Sequence, residues 1–284
     1  MRKVLLFTLL AVAFFWSCDS VCAAIVRFHF INVGHGDAIL IEREGIGVAL
    51  IDAGKPEAGP LILDYIRGLG IERIDRLFVT HNHKDHVGGV PIILDSLDVG
   101  IVYHTGMVHD WEEAQAFRQY LDTGKWPEEI LGAGDVPLKD GDLEIEVLSP
   151  LREETEGKAA DPNPNSMVLL VKHGSVRVLL PADIYQEREK WLIGQYGSRL
   201  KCNALKASHH GSRAGNCKDF LKVVQPDVIV VSVGPNDWGY PSKKTMKRLQ
   251  KYCSRVLRTD RDGTVILESD GHTLKIVEAE NIAP

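Results

Sequence analysis

Residues 80–86 read THNHKDH and lie between an apolar run at 77–79 and a Gly-Gly turn at 88–89. Within seven residues this stretch supplies three imidazoles and one carboxylate, the ligand types that suit zinc or manganese at a site that also holds an exchangeable water. Residues 74–79 are predicted to form a buried strand, and residues 90–97 the helix that follows. The stretch is therefore predicted to be a loop at the carboxyl end of a strand, where open sites form in α/β sheets.

The spacing within this stretch suits two metal ions. His81 and His83 alternate along an extended segment and can converge on one ion, whereas Asp85 and His86 follow the bend and can reach a second. A solvated polar loop without metal is the alternative, but three imidazoles at these intervals are unusual in such a loop. We therefore interpret all four side chains as metal ligands.

The first residues have the pattern of an export signal. Arg2 and Lys3 precede an apolar run at residues 4–16, which is short for a membrane span but has the length of a secretory signal core. Residues 1–23 are predicted to be a cleaved signal peptide; the alternative is a lipoprotein leader that ends near Cys18 and leaves a lipid anchor. Both routes predict a secreted or periplasmic, cell-envelope protein without a stable membrane span after processing.

Composition predicts one globular domain at residues 24–284. Of the 284 residues, 44% are hydrophobic and 25% are charged, which is enough apolar material for a large core. The cysteines that follow the leader are odd in number and widely spaced, which argues against a disulfide framework. We expect these three, Cys202, Cys217 and Cys253, to be buried small apolar side chains.

Charge is distributed unevenly along the chain. The formal net charge is −6, yet residues 199–261 contain fourteen Lys or Arg against four Asp or Glu. A locally basic last third suits a polyanionic partner. A solvated helix face at residues 243–251 explains part of the same pattern, and the sequence leaves both interpretations open.

Polar side chains follow two further predicted strands. Asp183 follows the apolar run of a predicted hairpin, and we interpret it as a bridging metal ligand, with a helix-capping Asp as the alternative. Residues 204–207 are predicted to be a strand that leads into SHHGS at 208–212. We expect His209 to complete the second metal site and His210 to face substrate.

Two histidines, His104 and His109, lie in a predicted loop between a strand and a helix. Contact with substrate near the cleft is one interpretation. The simpler one, which we favour from sequence, is a pair of exposed loop histidines.

The H-x-H-x-D-H pattern of residues 81–86 resembles the signature of the metallo-β-lactamase superfamily of binuclear metallohydrolases. Further motifs fall in the order seen in ComEC-type competence proteins: VGHGDAILI at 33–41, DAG at 52–54, NS at 165–166, Asp183, HHGS at 209–212 and TDRDG at 259–263. The resemblance implies an α/β (α+β) fold, a four-layer αββα sandwich of two similar halves with the metals between the sheets. Periodicity alone predicts only an α/β protein.

The resemblance also implies a function. Residues 24–284 would form a hydrolase domain that uses two divalent ions, Zn or Mn, to cut extracellular DNA or another phosphodiester polyanion. Asp183 would bridge the ions, and Asp52 and Asp85 would orient ligands or shuttle a proton. Substrate contacts are expected from His210, Ser212, Arg213, Asn165, Tyr240, Lys243 and Lys244.

The chain departs from the family pattern at two positions. Asn165 stands where most members place a third histidine, and an amide oxygen is a poorer ligand than imidazole for zinc and better matched to manganese. Tyr240 stands where competence proteins often carry a histidine, so a phenol would replace that contact. Two alternatives therefore stay open: an extracellular hydrolase of another substrate, such as a phosphocholine ester of wall polymers or a lactam, and a catalytically weak secreted DNA-binding module.

Overall fold

Two β-sheets stacked face to face, with helices on both outer sides, form the computed structural model, which describes residues 24–44, 46–155 and 161–278. The predicted four-layer αββα sandwich is confirmed. The predicted leader at residues 1–23 lies outside the described residues. Within the described ranges, no helix is both long enough and apolar enough to cross a membrane.

The first sheet has eight strands and combines an antiparallel part with a parallel part. Its order is β15-β14-β1-β2-β3-β4-β5-β6, and pairing is antiparallel as far as β3 and parallel from β3 to β6. The strands are β1 Val26–Phe30, β2 Ile39–Arg43, β3 Ile46–Ile51, β4 Arg73–Phe78, β5 Asp98–His104, β6 Glu128–Ile130, β14 Val265–Ser269 and β15 Leu274–Val277.

The second sheet has seven strands and repeats this plan. Its order is β13-β12-β11-β10-β9-β8-β7, with parallel pairing from β13 to β10 and antiparallel pairing from β10 to β7. The strands are β7 Leu138–Asp140, β8 Leu143–Ser149, β9 Val168–His173, β10 Val176–Leu180, β11 Ala204–Lys206, β12 Val228–Val231 and β13 Val256–Arg258.

In the described part of the chain, eight α-helices accompany the sheets. They are α1 Gly59–Gly68, α2 Lys84–Val87, α3 Val90–Ser96, α4 Glu112–Asp122, α5 Gln186–Tyr196, α6 Lys218–Val224, α7 Lys243–Tyr252 and α8 Thr259–Asp262. Apolar residues of α1, α3 and α4 pack on the first sheet, and those of α5, α6 and α7 pack on the second.

Strand alternation divides the apolar side chains between the layers. On β2, Ile39 and Ile41 belong to the core between the two sheets, whereas Leu40 between them packs with α1 and α3 on the outer face. Successive side chains of a strand point to opposite faces, so a continuous apolar run indicates a strand that is buried on both sides. All three of these side chains are buried.

The parallel strands of both sheets end at one edge, which is where the polar motifs collect. Ile51 at the end of β3 is in register with Phe78 at the end of β4, and Asp52 and the THNHKDH stretch follow directly. In the second sheet Leu179 of β10 is in register with Leu205 of β11. Asp183 and residues 208–212 come immediately after these strands, so segments that are distant in sequence converge.

Candidate metal centre

A backbone turn and a short helix bring two polar motifs together. The amide N–H of Asp37 donates to the carbonyl oxygen of Asp85 at 3.1 Å, which joins the turn at residues 33–37 to helix α2. Gly36 permits this approach, because a Cβ at that position would collide with the same Asp85 carbonyl. Its φ of +142° is also a conformation that other residues rarely adopt.

The centre of the site is a pair of buried imidazoles that face each other. His86 Nε2 lies 3.3 Å from His210 Nε2, and the two nitrogens are 3.3 Å and 3.2 Å from Asp183 Oδ2. Together with Asp37 these residues offer four ligand atoms that all lie within 4.8 Å of one another. A second group of three shares one member with the first and consists of His35, Asp85 and His210.

The outer hydrogen bonds of these two imidazoles fix their tautomers. His86 Nδ1 donates to Asp52 Oδ2 at 2.7 Å, and His210 Nδ1 donates to the carbonyl oxygen of Ser232 at 2.8 Å. In the neutral rings both Nε2 atoms therefore carry lone pairs that point at each other. Such an arrangement is favourable only with a cation between the lone pairs, either a proton or a metal ion.

A second pair of imidazoles lies beside the first. His81 Nε2 is 3.1 Å from His83 Nδ1, while His81 Nδ1 is 3.1 Å from the hydroxyl of Thr80. Metal-bound histidines commonly use one ring nitrogen for the ion and anchor the other through a hydrogen bond. The donor set of imidazole and carboxylate, with anchored outer nitrogens, fits a divalent ion such as zinc or manganese.

Electrostatics keep His86 charged when no metal is bound. Burial alone would lower the pKa of His86, but the carboxylates of Asp183 and Asp52 outweigh burial and raise the pKa well above its ordinary value. Burial raises the pKa of Asp52, against the attraction of His86 and the N–H of Thr80. An imidazole that binds a metal ion is neutral, so His86 would have to lose this proton to act as a ligand.

Lys206 places a buried positive charge next to the carboxylates of the metal centre. Its side chain is fully buried, and Nζ lies 2.5 Å from Asp37 Oδ2 and 3.3 Å from Asp183 Oδ1, with a further hydrogen bond of 3.1 Å to the Ala182 carbonyl oxygen. Burial would lower the pKa of Lys206, but the two carboxylates outweigh it and raise the pKa. The ammonium group thus neutralises part of the negative charge beneath the imidazoles.

Glu189 anchors the backbone near His209 and His210 through hydrogen bonds. This buried carboxylate accepts hydrogen bonds from the hydroxyl of Ser208 at 2.7 Å and from the N–H groups of Asn216 and Cys217 at 2.5 and 2.7 Å. His209 and His210 both adopt left-handed backbone conformations, with φ of +49° and +50°. The anchored loop keeps the two side chains apart in a conformation that would otherwise be strained.

These two histidines are placed the other way round from the sequence-based expectation. His210 is fully buried among His86, Asp85 and Asp183, whereas His209 lines the cavity above the centre and has its Nε2 3.9 Å from Asp183 Oδ2. His209 also stacks on Tyr185, with ring centroids 5.4 Å apart. The left-handed turn thus directs His210 into the protein interior and His209 toward the opening of the cavity.

Asn165 is hydrogen-bonded outside the cavity lining. Its Oδ1 accepts from Arg188 at 2.8 Å and its Nδ2 donates to the carbonyl oxygen of Glu154 at 2.9 Å, so its contact with substrate stays a prediction. Asn163 lines the cavity, and within the described part of the chain its buried Oδ1 has no hydrogen-bond partner. A one-turn 3₁₀ helix over Asn163–Asn165 separates the two amides.

The remaining predicted site residues fall into three places. Asp85, Asp183, His83 and Tyr240 line a cavity of ≈ 510 Å³ above the imidazoles. Asp52 lies behind His86 and is fully buried, in position to orient that ligand but not to touch substrate. Ser212 is buried, and three exposed cations, Arg213, Lys243 and Lys244, lie outside the cavity lining.

Two histidines that were expected to be exposed are buried. His104 Nε2 contacts Glu128 Oε2 at 2.9 Å, and His109 stacks on Trp111 with centroids 4.4 Å apart. Both line a separate cavity of ≈ 230 Å³ next to Asn82. Cys202, Cys217 and Cys253 are buried, as predicted, and within the described residues they are free thiols.

For several residues of the metal centre, no function was predicted from the sequence. These are His35, Asp37, Lys55, Lys84, Asn163, Lys206 and Trp238. A charged residue within an otherwise apolar strand, such as Lys206, is the one signal that could have pointed to the site, because buried charges are nearly always paired.

Comparison with known proteins agrees with this geometry. Residues 31–234 match the model of the metallo-β-lactamase superfamily. ComE operon protein 3 of Bacillus subtilis is 29% identical over 83% of this chain, and competence protein ComA of Neisseria gonorrhoeae is 28% identical over 82%. The chain spans about a third of each relative, 32% and 31% of their lengths. The expected resemblance to competence proteins is confirmed.

Solved structures agree on the fold. The metallo-β-lactamase fold protein YhfI from Bacillus subtilis superimposes with a TM-score of 0.57 at 13% identity, over 87% of this chain and 100% of that one. At this identity the likeness shows the fold alone. The sequence match extends over most of both sheets and contains the THNHKDH stretch, Asp183 and His210. The chain therefore belongs to the metallo-β-lactamase superfamily of metal-binding hydrolases.

Proposed function

We propose that the protein is a secreted, two-metal phosphodiesterase that cleaves extracellular DNA or another phosphodiester polyanion. The observation that carries this proposal is the set of buried imidazole lone pairs that converge around Asp183 at the floor of an open cavity. Lys55 and Lys84 are part of the cavity lining, so the opening offers positive charge to an anionic substrate.

The residues divide into two sets of ligands. His81 and His83 would hold one ion; Asp85, His86 and His210 would hold the other, with Asp183 between them. Zinc and manganese both suit this donor set. The chemistry that bound divalent ions supply is activation of a water nucleophile near neutral pH and neutralisation of charge on the phosphoryl oxygens.

The protein's own groups prepare the site for that chemistry. Burial opposes the ionisation of Asp85, but the imidazoles of His86 and His210 outweigh burial and lower its pKa. Asp85 is therefore ionised at neutral pH and can orient a water molecule in the cavity that it lines. His209, whose side chain reaches the same cavity, is held by Tyr185 and can contact the leaving group or a non-bridging oxygen.

Two features of the sequence support an extracellular polyanion. The pattern of residues 1–23 is typical of an export signal, and residues 199–261 carry an excess of ten basic residues over acidic ones, fourteen against four. The chain is also similar to a protein named as a competence protein, and this likeness is a further reason to propose DNA as the substrate.

The test is hydrolysis by purified protein loaded with manganese or zinc. We expect cleavage of single- or double-stranded DNA and of a bis-aryl phosphodiester, loss of activity with a chelator, and loss of activity in His83→Ala and Asp183→Ala. Phosphocholine esters and a chromogenic lactam serve as competing substrates. Hydrolysis of either competitor without any phosphodiester cleavage would overturn the proposal in favour of a different extracellular hydrolase, and binding of DNA without hydrolysis would favour a binding module.

A further inference from the structure

Trp238, at the edge of the metal centre, is strongly exposed to solvent. It exposes 63% of its surface, against 37% for Trp111, whereas Trp126 is buried and Trp191 is partly buried. Exposure of most of an indole is costly, because burying an aromatic side chain stabilises the folded state. The loop that carries Trp238 must therefore keep it out of the core.

That loop is clamped by Asn236. Its Nδ2 donates to the carbonyl oxygens of Gly234 and Tyr240 at 2.8 and 2.9 Å, and its Oδ1 accepts from the N–H of Tyr240 at 2.9 Å. The clamp closes the loop at both ends, with Trp238 at the tip. The indole is thus presented in a defined position rather than on a loose segment.

Trp238 is also connected directly to the metal centre. Its ring lies 5.1 Å from that of His35, and the next ring contacts run from His35 to His210 at 4.6 Å and from His210 to His86 at 5.3 Å. Further ring contacts connect His86 to His81, His81 to His83, and His83 to Trp111. Trp111 is stacked between two imidazoles, those of His83 and His109, with interplanar angles of 21° and 13°.

We propose that Trp238 is a stacking platform for an unpaired nucleobase next to the phosphodiester held at the metal centre. This inference rests on the proposed phosphodiesterase function and specifies its substrate as a single strand or an unpaired end. Aromatic faces bind bases of any sequence, since every base has a π-face. In a duplex the base faces are already covered by their neighbours, so an intact double helix cannot use this platform.

The shape and charge of the surroundings favour a flat base over a quaternary ammonium group. The rings of Trp238 and Tyr240 are stacked nearly parallel, at 24°, with centroids 6.2 Å apart, and so do not surround a cation from several sides. Cages for choline place several aromatic faces around the cation. Lys55 also lines the cavity, beside Asp85 and Asp183; once bound metal ions neutralise these carboxylates, the lysine would repel such a cation.

The test uses strands that differ only in their bases. Chelator-treated protein is titrated with an end-labelled oligothymidylate, with an abasic strand of equal length and charge, and with a duplex. We expect the oligothymidylate to bind about tenfold more tightly than the abasic strand, because base stacking on an aromatic residue contributes substantially per base. Trp238→Ala should lose this difference, Trp238→Phe should keep part of it, and Trp191→Ala, whose indole packs against Arg188 away from the centre, should keep all of it.

Three outcomes of the nucleic-acid titrations would overturn the inference: equal binding of the two strands by the wild type, undiminished base dependence in Trp238→Ala, or equal affinity for duplex and single strand. Saturable binding of phosphocholine that disappears in Trp238→Ala would also overturn it and assign the indole to a cation site. Cleavage of the bis-aryl phosphodiester by metal-loaded wild type tests the proposed function separately, since base-dependent binding by metal-free protein does not require catalysis.

Discussion

Asp52 Oδ2 lies 2.7 Å from His86 Nδ1, on the side of the imidazole that faces away from the other ligands. The same carboxylate accepts hydrogen bonds from the N–H and the hydroxyl of Thr80, the residue that begins the THNHKDH stretch. Asp52 therefore connects the end of β3 to the ligand loop and fixes both the tautomer and the direction of His86. This is an indirect role, exerted through the ligand it orients.

Replacing Asp52 should weaken metal binding more than it weakens the fold. Asp52→Asn keeps the size of the side chain but removes the negative charge, and we expect the affinity for zinc or manganese to fall about 10–100-fold. Competition against a chromophoric chelator measures this affinity directly. Wild-type affinity in a folded Asp52→Asn protein would show that His86 does not need this partner.

Lys206 should stabilise the metal-free protein. Lys206→Met leaves Asp37 and Asp183 buried without their cation, and breaking such a pair costs about 3–5 kcal/mol of unfolding free energy. Bound divalent ions would replace the missing charge, so the loss should be much smaller with manganese than with chelator. Urea unfolding under both conditions measures the two values.

Lys172→Met provides the matched control for that experiment. Lys172 also lies between two carboxylates, those of Glu144 and Glu146 at 2.8 and 2.6 Å, but its side chain is 25% exposed. Solvent-screened pairs contribute about 0–1 kcal/mol, so this variant should lose little, with or without metal. An equal loss for Lys206→Met in manganese and in chelator would refute the role assigned to Lys206.

Much of the fold could be predicted because periodicity and turns agree over long segments. The strand predicted at residues 74–79 is observed as β4, Arg73–Phe78, and the helix predicted at residues 90–97 is observed as α3, Val90–Ser96. Strand β6 was not predicted, since Glu128, Glu129 and Ile130 are all exposed and show no alternation. Its conformation comes from pairing with β5, in which Val102 is opposite Glu128. Such pairing depends on tertiary structure and leaves no local pattern.

The site was predictable where its ligands are close in sequence. Residues 81–86 were identified from spacing, whereas Asp37 and Lys206 meet only because the edges of two different sheets converge. The order of His209 and His210 depends on left-handed backbone angles that residue types alone do not specify. Asn163 and Asn165 lie at the two ends of a one-turn 3₁₀ helix, and of the two Asn163 lines the cavity, which the sequence motif alone does not specify.

Glu189 should be essential for the loop that carries the two histidines. Glu189→Ala leaves a hydroxyl and two backbone N–H groups buried without acceptors, each costing about 1–3 kcal/mol. We expect the free energy of unfolding to fall by about 3 kcal/mol or more. Glu187→Ala, an exposed position on the same helix, should change stability by less than about 0.5 kcal/mol. Equal melting curves for the two variants would contradict this assignment.

The hairpin between β14 and β15 should contribute acid-sensitive stability. Hydrogen bonds from the N–H groups of Thr273 and His272 and from the Thr273 hydroxyl lower the pKa of Asp270 to about 2. A carboxyl whose folded pKa is depressed stabilises the protein above its unfolded pKa and loses that contribution as pH falls toward the folded value. The difference in melting temperature between wild type and Asp270→Asn should therefore shrink between about pH 5 and pH 3. Both proteins are measured in chelator. A constant difference in melting temperature over that pH range would show that the turn does not favour the charged form of Asp270.

Helix α7 offers the final test of whether its positive charges bind the substrate. Lys243, Lys244 and Lys247 are exposed at its start, and the helix is attached to the histidine loop, since Ser242 N–H donates to Gly211 O at 3.0 Å and the Thr245 hydroxyl to Ser212 O at 2.8 Å. A strand that leaves the cavity beside Tyr240 would pass these lysines.

If they neutralise phosphates, the triple Lys→Ala variant should bind single-stranded DNA more weakly, and the slope of log K against log salt should decrease by about 0.7 for each lost contact. Cleavage of a small bis-aryl phosphodiester should stay near the wild-type rate, because the lysines lie outside the cavity lining. The charge-matched control replaces Lys125, Lys139 and Lys275, of which the latter two pair with Glu144 and Glu268. The control variant should lower the affinity for single-stranded DNA and the salt slope less than the α7 variant does. An equal effect would show that the α7 lysines contribute only net charge and do not contact the DNA strand.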